Sequence, residues 1–418
     1  MRQMLSVLSR FLLVFLLVFL LGLSSCSEES LPTEVLGERL DCRVVAVHSD
    51  YLSTSVSLLN GDGSLCADHV LHSGSEKPGL AAALSGDVVV ASGLHPSGLV
   101  TLIDRFPSGT ITWFDPDSLD VVGQLSVATG FAANPQDVVY VSDFRAFVSR
   151  AAVNPTPSAR TADFDEGGDV LVINPTTKTI EGRIDLMEFT DTQEGTTLHP
   201  YPTSMVQVGG TVWVALGHQA PDFSLGGQGL LVGIDIRKEA VVHVVAVPGF
   251  KNCTTLEGTE DGLRLWGVCA GVFQEGAEAQ LARSGVFTVD LTLAVPEVDW
   301  TIATSTFGDR PLGFGLSLLD NNRAIARSLG DFGSGAPDRL VLIDRATGEA
   351  EYIGIESGAY ELGGILWNPE SEHALVADAN LADPAVLVVD PSAEVKLVGR
   401  VQANPSAGLP PRQLRFYR

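Results

Sequence analysis

Basic residues are scarce in this chain: 26 Lys and Arg stand against 51 Asp and Glu in 418 residues, a formal net charge of −25. That balance excludes the basic footprint of a nucleic-acid binder and argues against adsorption to an anionic lipid surface. Histidines number only 8 and are scattered singly, with no His-Glu-x-x-His, no Gly-x-Ser-x-Gly and no phosphate-cradling glycine loop. Cysteines number 5, with no Cys-x-x-Cys and no zinc-type spacing. Beyond the N-terminus no segment keeps a 3.6-residue apolar period, so long amphipathic helices are not expected. What is abundant is apolar residues (45%), with 43 Gly and 22 Pro, too hydrophobic for a disordered chain. The length suits two or three ordinary domains or one large all-β domain.

The N-terminus is the most specific local signal. Met1 to Arg10 carries Arg2 and Arg10 and no acid, and Phe11 to Leu23 reads FLLVFLLVFLLGL. This run is shorter than the roughly 20 apolar residues of a membrane span and ends in small residues, as a secretory segment does. Leu23-Ser24-Ser25-Cys26 resembles a bacterial lipobox, in which the cysteine thiol is lipidated and the chain is cut just before it. The resemblance implies a lipoprotein signal peptide over 1–25 and a lipid-bearing (palmitate-type) Cys26 as the mature first residue. Ser27 in place of Asp points to the outer membrane by the enterobacterial rule. An acidic, Pro-containing tether over 26–39 follows (SEESLPTEVLGE at its centre), and the folded part is expected over 40–418. The partner implied here is a membrane, reached through the lipid, in a bacterial cell envelope, on its periplasmic or surface-facing side.

Export leaves four cysteines, Cys42, Cys66, Cys253 and Cys269, which suggest two disulfides. Three connectivities are open, of which the local pairs Cys42–Cys66 and Cys253–Cys269 are the economical one.

An internal repeat organises the remainder. Short apolar strands ending in Asp or Asn recur as STSVSLLN, TITWFD, DVLVIN, LLVGID, GVFTVD, RLVLID and AVLVVD, ending at Asn60, Asp115, Asn174, Asp235, Asp290, Asp344 and Asp390. Intervals of 46 to 61 residues leave room for about four strands per copy, at 8–12 residues for a strand and its turn. The terminal Asp or Asn reads as a turn acceptor, not a functional group. The first copy lacks an innermost strand, and the chain ends on an unpaired one, Gln413 to Tyr417. Together they complete a seventh unit. The expectation is an all-β, seven-bladed β-propeller whose ring is closed by the C-terminal strand joining the N-terminal segment.

The Asp-ended strands VLVINPTTKTIEGRIDL, LVLIDRATGEAEYIGI and VLVVDPSAEVKLVGRV resemble those of YVTN-type seven-bladed propellers, a superfamily that includes quinoprotein amine dehydrogenase chains. SDYLSTSVSLLN, LSGDVVVAS and NPQDVVYVSD resemble more narrowly a group of propeller lipoproteins from myxobacteria and their relatives. The resemblance spans about residues 40–418 and implies fold and export, but no activity.

In a propeller the innermost strands begin and the second strands end on one face, where long loops surround the channel. Candidate ligand-binding residues at these strand ends are Arg150, His199, His218, Arg310 and Arg327. Arg150 and Arg327 hold comparable places in their blades. Two arginines facing a funnel in an acidic protein would suit a carboxylate or phosphate, the competing expectation being that each pairs with a neighbouring Asp. Asp163, Asp165 and Asp169 alternate beside Gly167-Gly168 and offer hard oxygen donors to calcium, though without the EF-hand spacing. No catalytic residue and no other cofactor is indicated. The chain reads as a binding or scaffold module for an envelope protein or a small ligand. A funnel-site enzyme (lyase, lactonase or quinoprotein-like oxidoreductase) is the alternative that fold analogy supplies.

Overall fold

The computed structural model describes residues 42–157, 163–394 and 396–418. The expected signal peptide and tether, and with them Cys26, lie outside the described residues.

Among the described residues, seven four-stranded antiparallel sheets follow one another along the chain as propeller blades. The first has Val44–Ser49, Thr54–Leu59 and Leu65–His72 as its second, third and outermost strands. Its innermost strand is Pro411–Phe416, from the other end of the chain, with Val45 opposite Arg415 and Ala46 opposite Leu414. Tyr417 Oη and Arg418 Nε then donate to the carbonyl of Cys42, at 2.6 and 2.7 Å. The ring therefore closes by backbone pairing between the two chain ends, as the repeat pattern required, and neither segment is left as a bare sheet edge.

The remaining blades open with innermost strands Val88–Val90, Pro135–Ser142, Pro202–Val208, Cys253–Gly258, Leu312–Leu318 and Leu362–Asn368. Their third strands, such as Gly167–Asn174 and Gln228–Asp235, are apolar on both faces because each face packs on an adjoining blade. Outermost strands instead alternate exposed and covered residues, as along Glu349–Ser357. Seven apolar clusters result, one at each blade interface. Trp113, Trp213 and Trp266 are buried within them, the packing role expected of strand tryptophans.

The Asp and Asn residues ending the third strands act as turn acceptors. Asp115 Oδ1 takes the amides of Asp117 and Ser118, Asp235 Oδ1 those of Arg237 and Lys238, and Asp344 Oδ1 those of Ala346 and Thr347. Buried acceptors also clasp neighbouring blades. Asp137 Oδ2 receives the Met205 amide at 2.8 Å, Ser284 Oγ that of Leu312 at 2.8 Å, and Asp338 Oδ2 that of Leu362 at 3.0 Å. Each pins the next blade's innermost strand, at its first residue for Leu312 and Leu362 and at its middle for Met205. Both disulfides form with the local pairing: Cys42–Cys66 spans 24 residues, and Cys253–Cys269 joins register partners on adjacent strands of the fifth blade. Helix is confined, among the described residues, to a six-residue α-helix, Ala277–Ala282, in the link between the second and third strands of that blade, and to three single turns of 3-10 helix, Met187–Phe189, Phe273–Glu275 and Thr304–Thr306.

Candidate functional site

A cavity of about 550 Å³ occupies the channel where the innermost strands converge. Four arginines line it, Arg105, Arg327, Arg412 and Arg415, against two aspartates, Asp87 and Asp137. The local balance thus opposes that of the chain. Both aspartates are already engaged by the protein. Asp87 accepts from Arg105 Nε at 3.0 Å. Asp137 accepts the amides of Ser92, Val138 and Met205 and the Ser92 hydroxyl, and burial nevertheless raises its pKa.

The arginines differ in how far the protein satisfies them. Arg415 Nη1 reaches Glu257 at 3.2 Å. Arg412 donates to the carbonyls of Ser49 (3.1 Å) and Tyr360 (3.4 Å), and its guanidinium lies 4.8 Å from the Tyr51 ring centroid. Arg327 makes no side-chain hydrogen bond or ion pair among the described residues, and its Nε is buried without a partner. Burial pulls its pKa down, Asp338 opposes this, and the charge of Arg412 adds to it. A guanidinium remains charged under such pressure, so the fold carries the cost of its desolvation.

Local structure explains how Arg327 gets there. It sits on a second strand, Arg323–Ser328, one layer back from the channel. In the innermost strand in front of it stands Gly313, within a register shift between Leu312 and Leu316. A Cβ at Gly313 would come within 2.8 Å of Arg327 Nε, so the missing side chain leaves the space the guanidinium occupies. On the closing strand a comparable shift between His48 and Val47 resets the alternation around Arg412, and both Arg412 and Arg415 line the cavity.

Of the five expected ligand-binding residues, Arg327 alone lines the cavity. Arg150 is a correction: it is fully buried, and its donors reach both oxygens of Asp169 (2.7 and 2.6 Å), the carbonyls of Val127 and Phe164, and Thr129 Oγ1. Its donors tie loops together. Arg310 points to Ser334 (3.0 Å) and Asp331 (3.6 Å). His218 is buried with Nδ1 3.1 Å from the Gln228 carbonyl, and His199 is half-buried, where desolvation lowers its pKa. Neither histidine lines the cavity. The three carboxylates of the expected calcium site are not assembled either. Asp169 is held by Arg150 and by Arg183 Nε at 2.6 Å, Asp163 is exposed, and no group of three metal-binding side chains occurs among the described residues.

Arg105, Arg412 and Arg415 were not anticipated. The signal for two of them is Pro411-Arg412-Gln413-Leu414-Arg415, two cations on an innermost strand of an acidic chain.

No protein-family model matches the chain, and no curated protein sequence matches it. Solved structures do, at the level of fold. A β-propeller domain from Myceliophteria thermophila aligns at TM-score 0.52 and 11% identity, over 81% of this chain and 94% of that one. A protein from Bacteroides fragilis provisionally named a 6-phosphogluconolactonase aligns at 0.56 and 10%, over 91% and 99%. The dihydro-heme d1 dehydrogenase NirN, in complex with DHE, aligns at 0.50 and 15%, over 92% and 77%. These likenesses, together with the seven blades, make the chain a β-propeller protein; at such identities they carry nothing further.

Proposed function

We propose that this protein is a lipid-anchored binding module of the bacterial cell envelope, of the YVTN-type propeller kind, whose channel takes up a small anionic ligand. The observation that carries the reading is Arg327, a guanidinium brought to the channel wall with no protein partner and with three further arginines around the same cavity. A buried cation with a nearby acid but no hydrogen-bonded partner is only partly compensated, and a bound carboxylate or phosphate would supply the missing contacts. A concave site with converging charges favours a small molecule over a flat protein surface. The two disulfides fit an exported chain, and the anchor rests on the Cys26 lipobox.

The test has two arms. Labelled palmitate should enter the wild-type chain expressed in a bacterium and not Cys26→Ser. Citrate or inorganic phosphate should raise the melting temperature of the wild type and not of Arg327→Gln. Equal response of both proteins to the anions would overturn the channel reading. An enzymatic function (lyase, lactonase or quinoprotein-like oxidoreductase) draws only on the names of fold neighbours, and no histidine lines the cavity to serve as a base.

A further inference from the structure

The walls of the same cavity narrow the ligand class. Aromatic residues are only 7% of the chain. Eight Phe and Tyr side chains are exposed among the described residues: Tyr51, Phe106, Phe144, Phe223, Phe273, Phe314, Phe332 and Tyr360. Five of them, Tyr51, Phe223, Phe273, Phe314 and Tyr360, line this one cavity. A sixth, Phe332, stacks on Tyr360 at 5.0 Å. Exposed rings elsewhere on the propeller are few, so this concentration is a property of the channel mouth. Solvated aromatic area gathered in a concavity is free energy held for a ligand.

The lining is also sorted. Tyr51 and Tyr360 belong with the cations: Arg412 lies over the Tyr51 ring and donates to the Tyr360 carbonyl at 3.4 Å. Phe223, Phe273 and Phe314 come from the fourth, fifth and sixth blades, with Val272 beside them in the wall. Phe273 and Phe314 pack at 5.9 Å with their planes 37° apart, and Phe223 meets Tyr201 edge-on at 84°. Tilted and edge-on pairs leave ring faces open, the surface on which a flat conjugated system stacks. An aliphatic chain would gain burial there but not the stacking.

Resting on the channel-binding reading above, we infer that the ligand is a flat aromatic anion, its carboxylate or phosphate held by Arg327 and Arg412 and its ring system lodged against Phe223, Phe273 and Phe314. The proposal demands both features in one molecule, and each can be removed separately.

Three probes do so on the full chain: 1-pyrenecarboxylate (ring and charge), 1-pyrenemethanol (ring alone) and cyclohexanecarboxylate (charge alone). Affinities are read by fluorescence titration for the pyrenes and by calorimetry for the third. The expected result is that 1-pyrenecarboxylate binds at least tenfold more tightly than either of the others. Arg327→Gln should bring it to the level of the alcohol, and the double variant Phe273→Leu/Phe314→Leu to that of the aliphatic acid. Both phenylalanines are exposed, and an unchanged circular dichroism melt confirms the folded state. If cyclohexanecarboxylate binds as tightly as 1-pyrenecarboxylate and the leucine variant changes neither, the aromatic inference falls and the anion site stands. If 1-pyrenemethanol matches the acid, or Arg327→Gln leaves the acid's affinity unchanged, the anion site falls and this inference with it.

Discussion

Arg150 and Asp169 are direct register partners on the second and third strands of the third blade, joined by two hydrogen bonds of 2.7 and 2.6 Å with neither side chain reaching solvent. Their pair is the structural counterpart of what Arg327 lacks. Arg327 stands at the equivalent end of its second strand, but its register partner is Leu340. One arginine is thereby a tie within the blade, and the other is left to the channel.

Arg150→Met should therefore cost stability and leave binding alone. Breaking a buried ion pair costs about 3–5 kcal/mol when the remaining charge is stranded. Arg183 stays on Asp169 at 2.6 Å, which places the expected loss at the lower end, about 3 kcal/mol in urea unfolding. The affinity of 1-pyrenecarboxylate should stay within about twofold of wild type, since Arg150 is absent from the cavity wall. Weakened binding with unchanged unfolding would return Arg150 to the ligand site.

The pH dependence of stability should carry the signature of His48. This residue lies at the irregularity where the closing strand meets the first blade, fully buried, with neither ring nitrogen hydrogen-bonded to a side chain among the described residues and the Leu409 backbone near enough to favour its charged form. Burial pushes its pKa down to about 4, against the pull of Asp68. Between pH 6.5 and about 4 the unfolded chain then binds a proton that the folded chain refuses. Stability falls as pH drops through that window, by roughly 3 kcal/mol at about 1.4 kcal/mol per unit, and the contribution is flat below it. His48→Leu should lose this part of the slope. An identical slope in the variant, measured by denaturant unfolding at each pH, would assign it to other groups.

The two disulfides should each stabilise the chain by limiting its unfolded state. Loops of 16 and 24 residues correspond to about 3 kcal/mol apiece in the chain-entropy account. Cys253→Ala/Cys269→Ala leaves the strand pairing of the fifth blade in place, so the loss should appear as a lower denaturation midpoint with native spectra retained. A reducing agent should lower the wild-type midpoint and leave unchanged that of a variant in which Cys42, Cys66, Cys253 and Cys269 are all replaced by alanine.

How far these features were legible in the sequence follows from their range. The blades were, because a third strand such as RLVLID is apolar on both faces and its Asp caps the next turn, signals confined to eight or ten residues. The ring closure was, because an unmatched strand at each end of a repeat array can only pair with the other. The cysteine pairing was, because Cys253 and Cys269 sit symmetrically about one tight turn. The fate of each arginine was not. Arg150 and Arg327 occupy comparable places, and only the register across the strand, Asp169 in one blade and Leu340 in the other, separates a buried tie from a channel cation. The acids at 163, 165 and 169 failed as a cluster for the same reason, Asp169 being claimed by arginines 19 residues before and 14 after it. The aromatic mouth brings together Tyr51 and Tyr360, which no local pattern connects.

Gly313 offers the sharpest separation of fold from site. Its backbone is not in the left-handed region, so a methyl group there adds no torsional strain. What the added Cβ would meet is Arg327 Nε at 2.8 Å, Arg327 Nη2 at 3.2 Å and Leu329 Cδ2 at 2.8 Å, all towards the ends of side chains that can turn aside. Overpacking of this kind should cost about 1 kcal/mol or less, below the 1–3 kcal/mol typical of a filled core. The position of the guanidinium is another matter, because the space left by Gly313 is its path to the channel. Gly313→Ala is therefore expected to fold with a nearly unchanged melting temperature, yet to lose most of the gain in 1-pyrenecarboxylate affinity that Arg327 provides. Combining it with Arg327→Gln should add little further loss, since both remove one interaction. Additive losses in that double-mutant cycle would mean that Gly313 and Arg327 act independently, and that the guanidinium reaches its anion by another route.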